Sequence, residues 1–145
     1  MAKNKIPKPS SASDNRRLNL AKNPVIVSVS TDDEHPSFRF TYADKNRWTL
    51  AEWTSSEIND FIEGLKKIEK YTWAQIKGHG SKKRGESVAT GYKLITNHPS
   101  LPDNIPEDVK LSEMRIDEKK RIFGFRVQGV YYIIWFDRDH SVCPD

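Results

Sequence analysis

The chain has 145 residues, 36% of them hydrophobic, with a formal net charge of +4 at pH 7. That length and apolar share suit one domain closed around a single core. Cys143 is the only cysteine, which excludes an intrachain disulfide, and the longest uninterrupted apolar run, Val130 to Phe136, is far too short to span a bilayer.

The charge is unevenly spread. Residues 1–24 carry six Lys/Arg against Asp14 alone, 25–65 carry three against eight acidic groups, 66–93 carry eight against two, and 94–145 carry seven against nine. The folded body is therefore near neutral, with one basic segment and a basic leader, a distribution that suits contact with a polyanion. A lone near-terminal cysteine fits a reducing compartment, and the first thirty residues contain no apolar stretch of the secretory kind. The expected location is the cytoplasm, without a membrane partner.

Residues 1–23 are rich in Lys, Asn, Ser and Pro and are expected to form a disordered basic tail, leaving 24–145 as a single α+β domain. From Pro24, Val25, Val27 and Val29 alternate, "TDDEHPS" supplies turn chemistry, and Phe38, Phe40 and Tyr42 alternate again. That pattern predicts an antiparallel hairpin with one buried face. "RWTLAEW" adds a short strand. Thr54 with Glu57 three residues later is a capping box, and Trp53 can staple onto Ile58. Ile58, Phe61, Ile62, Leu65 and Ile68 then mark the inward stripe of the main helix. Thr72 caps a second, short helical turn, "WAQIK", stopped by Gly78.

Residues 96–109 contain three prolines and read as an irregular link, in which "NIPEDV" has room for one helical turn. "LSEMRI", "RIFGFRV" and "VYYIIWF" read as three strands of a meander. Gln128-Gly129 makes the second turn, with the glycine supplying a positive φ. The last strand is apolar throughout, which predicts a central position covered on both faces. The expected fold is α+β: an antiparallel sheet, made of the N-terminal hairpin and the C-terminal three-strand meander, packed by one main amphipathic helix.

Two stretches carry candidate chemistry. In "KGHGSKKRGES", Lys77, His79, Lys82, Lys83 and Arg84 interleave with Gly78, Gly80 and Gly85. Glycines let a backbone approach an anion closely and the cations neutralise phosphate charge. A Walker loop is excluded because a helix, not a strand, precedes it. The alternative is an exposed connection whose charges are only solvated. In "WFDRDH", Asp139 beside His140 can favour the imidazolium, which makes His140, with His79 and Asp139, the candidates for proton transfer. A turn capped by its own Asp side chains is the alternative there. Asp137, Asp139 and His140 without a second cluster are a weak metal signal, so no metal and no cofactor are assigned. Arg126 shares its strand face with Ile122 and Gly124, which places it at the edge of a concave surface as a further nucleic-acid contact, or leaves it solvated.

Residues 71–140, about half the chain, resemble a group of small bacterial and mobile-element proteins. The shared pattern is Thr72, Trp73 and Ile76, a Gly/basic loop, then Gly124, Phe125 and Arg126, and finally Trp135, Asp137 and His140. In outline the strand portion is also similar to the RelE/HigB-like toxin superfamily. That resemblance implies a RelE-like sheet, RNA or the ribosome as target, a small antitoxin-like protein partner, and metal-independent RNA cleavage in which a base activates a 2′-OH. The chain differs by starting with a strand hairpin and by ending in "SVCPD". The residues themselves leave two other functions open: a non-catalytic nucleic-acid or ribonucleoprotein-binding module, and a protein-interaction partner in a mobile-element or defence system.

Overall fold

The elements in chain order are β1 (Ser37–Arg39), α1 (Ser55–Glu69), α2 (Trp73–Gly78), β2 (Lys93–Leu94), β3 (Ser112–Arg115), β4 (Arg121–Val127) and β5 (Val130–Asp137). The computed structural model describes residues 29–80 and 89–144. The tail at 1–23, the strand expected from Val25 as far as residue 28, and Lys82, Lys83 and Arg84 lie outside the described residues. The chain divides into two units, Met1–Ser30 and Thr31–Asp145, and every element above belongs to the second.

The fold is α+β, but the sheet is mixed. Its order is β1-β5-β4-β3-β2. The meander pairs antiparallel as the sequence predicts, whereas β1 lies parallel to β5, with Ser37 opposite Val130 and Arg39 opposite Tyr132. The purely antiparallel sheet is thus corrected. Gly129 explains the direction of β1, because its carbonyl accepts from Ser37 N (3.1 Å) and ties the start of β1 to the start of β5. β1 ends at Arg39, so Phe40 does not continue an inward face; it is exposed and stacks beside Phe136, centroids 6.4 Å apart. "RWTLAEW" forms turns and bends instead of a strand, and "NIPEDV" forms turns without helix.

Both helices begin as their sequences dictate. Glu57 N donates to Thr54 Oγ1 (3.1 Å) and Thr54 N to Glu57 Oε1 (2.8 Å). Thr72 and Gln75 repeat the reciprocal pattern at α2. Phe61, Leu65 and Ile68 of α1 and Trp73 and Ile76 of α2 are buried against Met114, Ile122, Tyr131 and Ile133 of the sheet. Ile62 departs from the expected stripe and is exposed.

The other face of the sheet is covered by irregular segments. Ile105, Leu111 and Val142 pack there on Phe123, Phe125, Ile134 and Trp135. β5 serves both faces through a bulge: Phe123 pairs with Trp135 while Gly124 pairs with Ile133, leaving Ile134 as the extra residue. Ile134 and Trp135 consequently share one face, an arrangement that strict alternation forbids.

Two glycines act differently from expectation. In the β4–β5 turn the positive φ falls on Gln128 (55°), and Gly129 lies against the mobile end of the exposed Glu34 side chain. A Cβ on Gly124 would run into the Tyr132 carbonyl of the neighbouring strand. Gly124→Ala is therefore expected to lower unfolding stability by about 1–3 kcal/mol through overpacking, read as a lower urea midpoint. An unchanged midpoint would show that the bulge relaxes freely.

Candidate functional site

Asp32 sits where three parts of the chain meet. Its Oδ2 accepts from Lys77 Nζ at 2.6 Å and its Oδ1 from Arg126 Nη2 at 2.8 Å. These bonds, Lys77 first and Arg126 next, hold the Asp32 carboxyl below its ordinary range. The Asp32 and Glu34 carbonyls accept from Ala74 N (2.7 Å) and Trp73 N (2.9 Å), satisfying open donors at the start of α2. Arg126 lies over the Trp73 ring, 4.5 Å from its centroid, and also donates to Thr31 Oγ1. Trp73 is completely buried and its indole N–H donates to the Gly129 carbonyl. Two of the expected phosphate contacts, Lys77 and Arg126, are thus joined by one carboxylate into an internal ion cluster.

His79 follows at the C-terminal end of α2. Its ring stands edge-to-face with Tyr71 at 4.6 Å, and Nδ1 lies 2.9 Å from Thr90 Oγ1. Burial pushes its pKa below 6.5, so at pH 7 it is a neutral ring and not a phosphate-binding cation. Next to it, Gly80 presses against the Tyr92 carbonyl, where a side chain would not fit. Thr90 is buried and its carbonyl accepts from Arg115 N on β3 (2.6 Å). Gly80 and Thr90, the described residues nearest the two sides of the basic stretch, are thus both held against the fold.

At the far end of β5, Asp137 is fully buried. Its Oδ1 accepts from Ser141 N and its Oδ2 from Val142 N, both at 2.9 Å. "WFDRDH" is, at Asp137, a turn capped by its own carboxylate. Asp139 is exposed and His140 half-buried, with His140 at φ 62°. Among the described residues, no group of three or more His, Cys, Asp and Glu could hold a metal ion.

These candidates do not converge. Arg126 pairs with Tyr131, six residues along β5 from Asp137, a separation of about 20 Å. His79 leans on Thr90, whose carbonyl bonds to Arg115 of β3, and lies two residues past Lys77, which shares Asp32 with Arg126. His79 belongs to the helical face, while the turn carrying His140 leads into Val142 on the opposite face. Comparison with protein-family models, curated proteins and solved structures finds no match. Among the described residues, no helix is long and apolar enough to cross a membrane.

Sequence reasoning overlooked Asp44, which organises the turn before α1. Its oxygens accept from Asn46 N, Arg47 N, Arg47 Nε and Trp135 Nε1. Burial pushes this carboxyl up, but those four bonds outweigh it and hold it lowered. The available signal was "ADKN", an Asp followed by turn formers.

Arg138 couples this end of the sheet to α1, its Nε donating to both oxygens of Glu57 at 3.0 and 2.9 Å. With the Thr54 N–H, that contact lowers Glu57 from 4.5 to about 2. A depressed carboxylate contributes stability that is complete above its unfolded pKa and lost as pH falls through the folded one. For Glu57 the window runs from 4.5 down to about 2. Arg138→Ala should move the Glu57 carboxyl titration, followed by NMR, upward from about 2 towards 4.5. An unmoved titration would assign the shift to the helix cap alone.

Proposed function

We propose that the protein is an RNA-directed binding module, in which the basic segment Lys77–Arg84 contacts the phosphate backbone and no residue cleaves it. The observation that carries this reading is that the described residues on either side of 81–88 are held by the fold: Gly80 against the Tyr92 backbone, and Thr90 bonded to Arg115 and His79. Held flanks lower the ordering cost of binding. Lys82, Lys83 and Arg84 supply the sequence-independent attraction, while Lys77 and Arg126 are partly spent on Asp32.

A ribonuclease needs its base and acid within hydrogen-bond reach of one phosphate. The separation of Arg126 from the turn that carries His140 speaks against that assembly, so the binding role is preferred to metal-independent cleavage. A toxin-like setting, with the ribosome as target and an antitoxin-like partner, rests on the sequence resemblance alone.

The test is fluorescence anisotropy of labelled single-stranded RNA over a series of salt concentrations. Binding should weaken with salt, and replacing Lys82, Lys83 and Arg84 by Ala should lower the log–log slope by about 2, three phosphate contacts at ~0.7 each. The RNA should stay intact throughout. Cleavage abolished by His79→Ala or His140→Ala would replace this reading with the ribonuclease, and salt-independent or absent binding would overturn it.

A further inference from the structure

A cleft of about 540 Å³ opens beside the end of β5, lined among others by Lys45, Trp48, Trp53, Phe136, Arg138 and Asp139. Its volume lies within the range of small-ligand sites, about 300–1,000 Å³. Two of its walls are held in unusual backbone conformations. Trp48 has φ 49°, a region that bulky side chains rarely adopt, and His140, between the lining residues Asp139 and Ser141, has φ 62°.

Both conformations are fixed by their surroundings. The Trp48 carbonyl accepts from Phe136 N (2.8 Å), its indole N–H donates to Ser141 Oγ (2.9 Å), and its ring meets Trp135 at 5.0 Å. The turn at His140 is fixed by the two bonds from Ser141 and Val142 to Asp137. The Trp48–Ser141 bond joins one strained wall to the other. Strain that the surrounding structure over-determines is characteristic of ligand-holding positions.

The lining is chemically specific. The half-buried Trp48, backed by the buried Trp53 and Phe136, provides an aromatic wall. Among the described residues, Arg138 bonds Glu57 through Nε alone, which leaves its two Nη groups as donors. Lys45 is exposed and forms no ion pair among the described residues. Asp139 and Glu52 are exposed carboxylates on the same rim. Cations, aromatic surface and a carboxylate acceptor together match phosphate, planar base and exocyclic amine. A peptide bound by strand addition would instead need a free strand edge beside it, whereas the cleft lies past the end of β5, between β5 and the 45–53 turns.

We infer that this cleft binds one nucleotide unit, its base against the aromatic wall and its phosphate on Lys45 and Arg138. The choice of a nucleotide as ligand rests on the RNA-directed reading above. Single-stranded RNA is commonly read through one unstacked base held on aromatic side chains. The unit is either a free nucleotide or the exposed base of a strand.

The experiment follows tryptophan emission and the indole N–H signals in NMR as 5′-nucleoside monophosphates, ribose 5-phosphate and a four-nucleotide RNA are added to the full chain. The monophosphates should produce saturable shifts at Trp48 and Trp53 and none at Trp73, with ribose 5-phosphate at least tenfold weaker. Lys45→Glu, at an exposed position, should weaken nucleotide binding at least tenfold without changing the melting temperature. A tetranucleotide much tighter than the monophosphate identifies a strand as the ligand; equal affinities identify a free nucleotide. The variant with Ala at 82, 83 and 84 keeps nucleotide binding while losing affinity for RNA. Salt-dependent RNA binding without any nucleotide shift at Trp48 sinks the cleft and spares the RNA reading. Nucleotide shifts without RNA binding do the opposite. Shifts unaffected by Lys45→Glu also overturn the proposal.

Discussion

Trp73 and the ion cluster beside it decide how the rest of the structure is arranged. The indole is buried between α2 and the sheet, and its single polar atom is satisfied by the Gly129 carbonyl in the β4–β5 turn. Arg126 covers the ring and reaches Asp32, whose backbone in turn caps α2. A buried aromatic with a donor must find an acceptor. Here that acceptor belongs to the turn that also receives Ser37. One turn thereby fixes the position of α2, the direction of β1 and the side on which Asp32 lies.

That arrangement has an electrostatic consequence. Lys77 opens the basic segment, yet its ammonium is 2.6 Å from Asp32, which also holds Arg126. The Lys77 pair is largely exposed and contributes little to stability, whereas Arg126 is mostly buried. The larger effect of the two pairs is to reduce the positive field on the helical face of the sheet. The opposite end of β5 is organised separately, by carboxylates turned inward: Asp44 gathers Arg47 and Trp135, and Asp137 gathers Ser141 and Val142. Charge is used at one end to join elements and at the other to hold strained turns.

Much of this was legible from local patterns. The capping boxes at Thr54 and Thr72 placed both helix starts, and the apolar run from Val130 announced a strand covered on both faces. Local signals failed where pairing partners lie far apart in sequence. Phe38, Phe40 and Tyr42 alternate as a strand should, but nothing in them says that β5 is the neighbour or that it runs parallel. The two-residue β2 is too short to register as a pattern, and "RWTLAEW" has strand composition but bends because Asp44 draws its turn inward. His79 and His140 looked equivalent as titratable groups; their separation depends on the strand order alone.

The sequence by itself determined the α+β class, both helix starts, the three C-terminal strands and the basic segment, because each follows from interactions within a few residues or from simple periodicity. Only the tertiary structure decided the mixed sheet, the bulge at Ile134, the partnership of Lys77 and Arg126 with Asp32, and the cleft beside Trp48. Each of these joins residues about 45 to 100 positions apart or balances two faces of one strand. Such contacts are chosen by the burial of Trp73 and Trp135 and the satisfaction of their donors, quantities that do not exist until the chain has closed on itself.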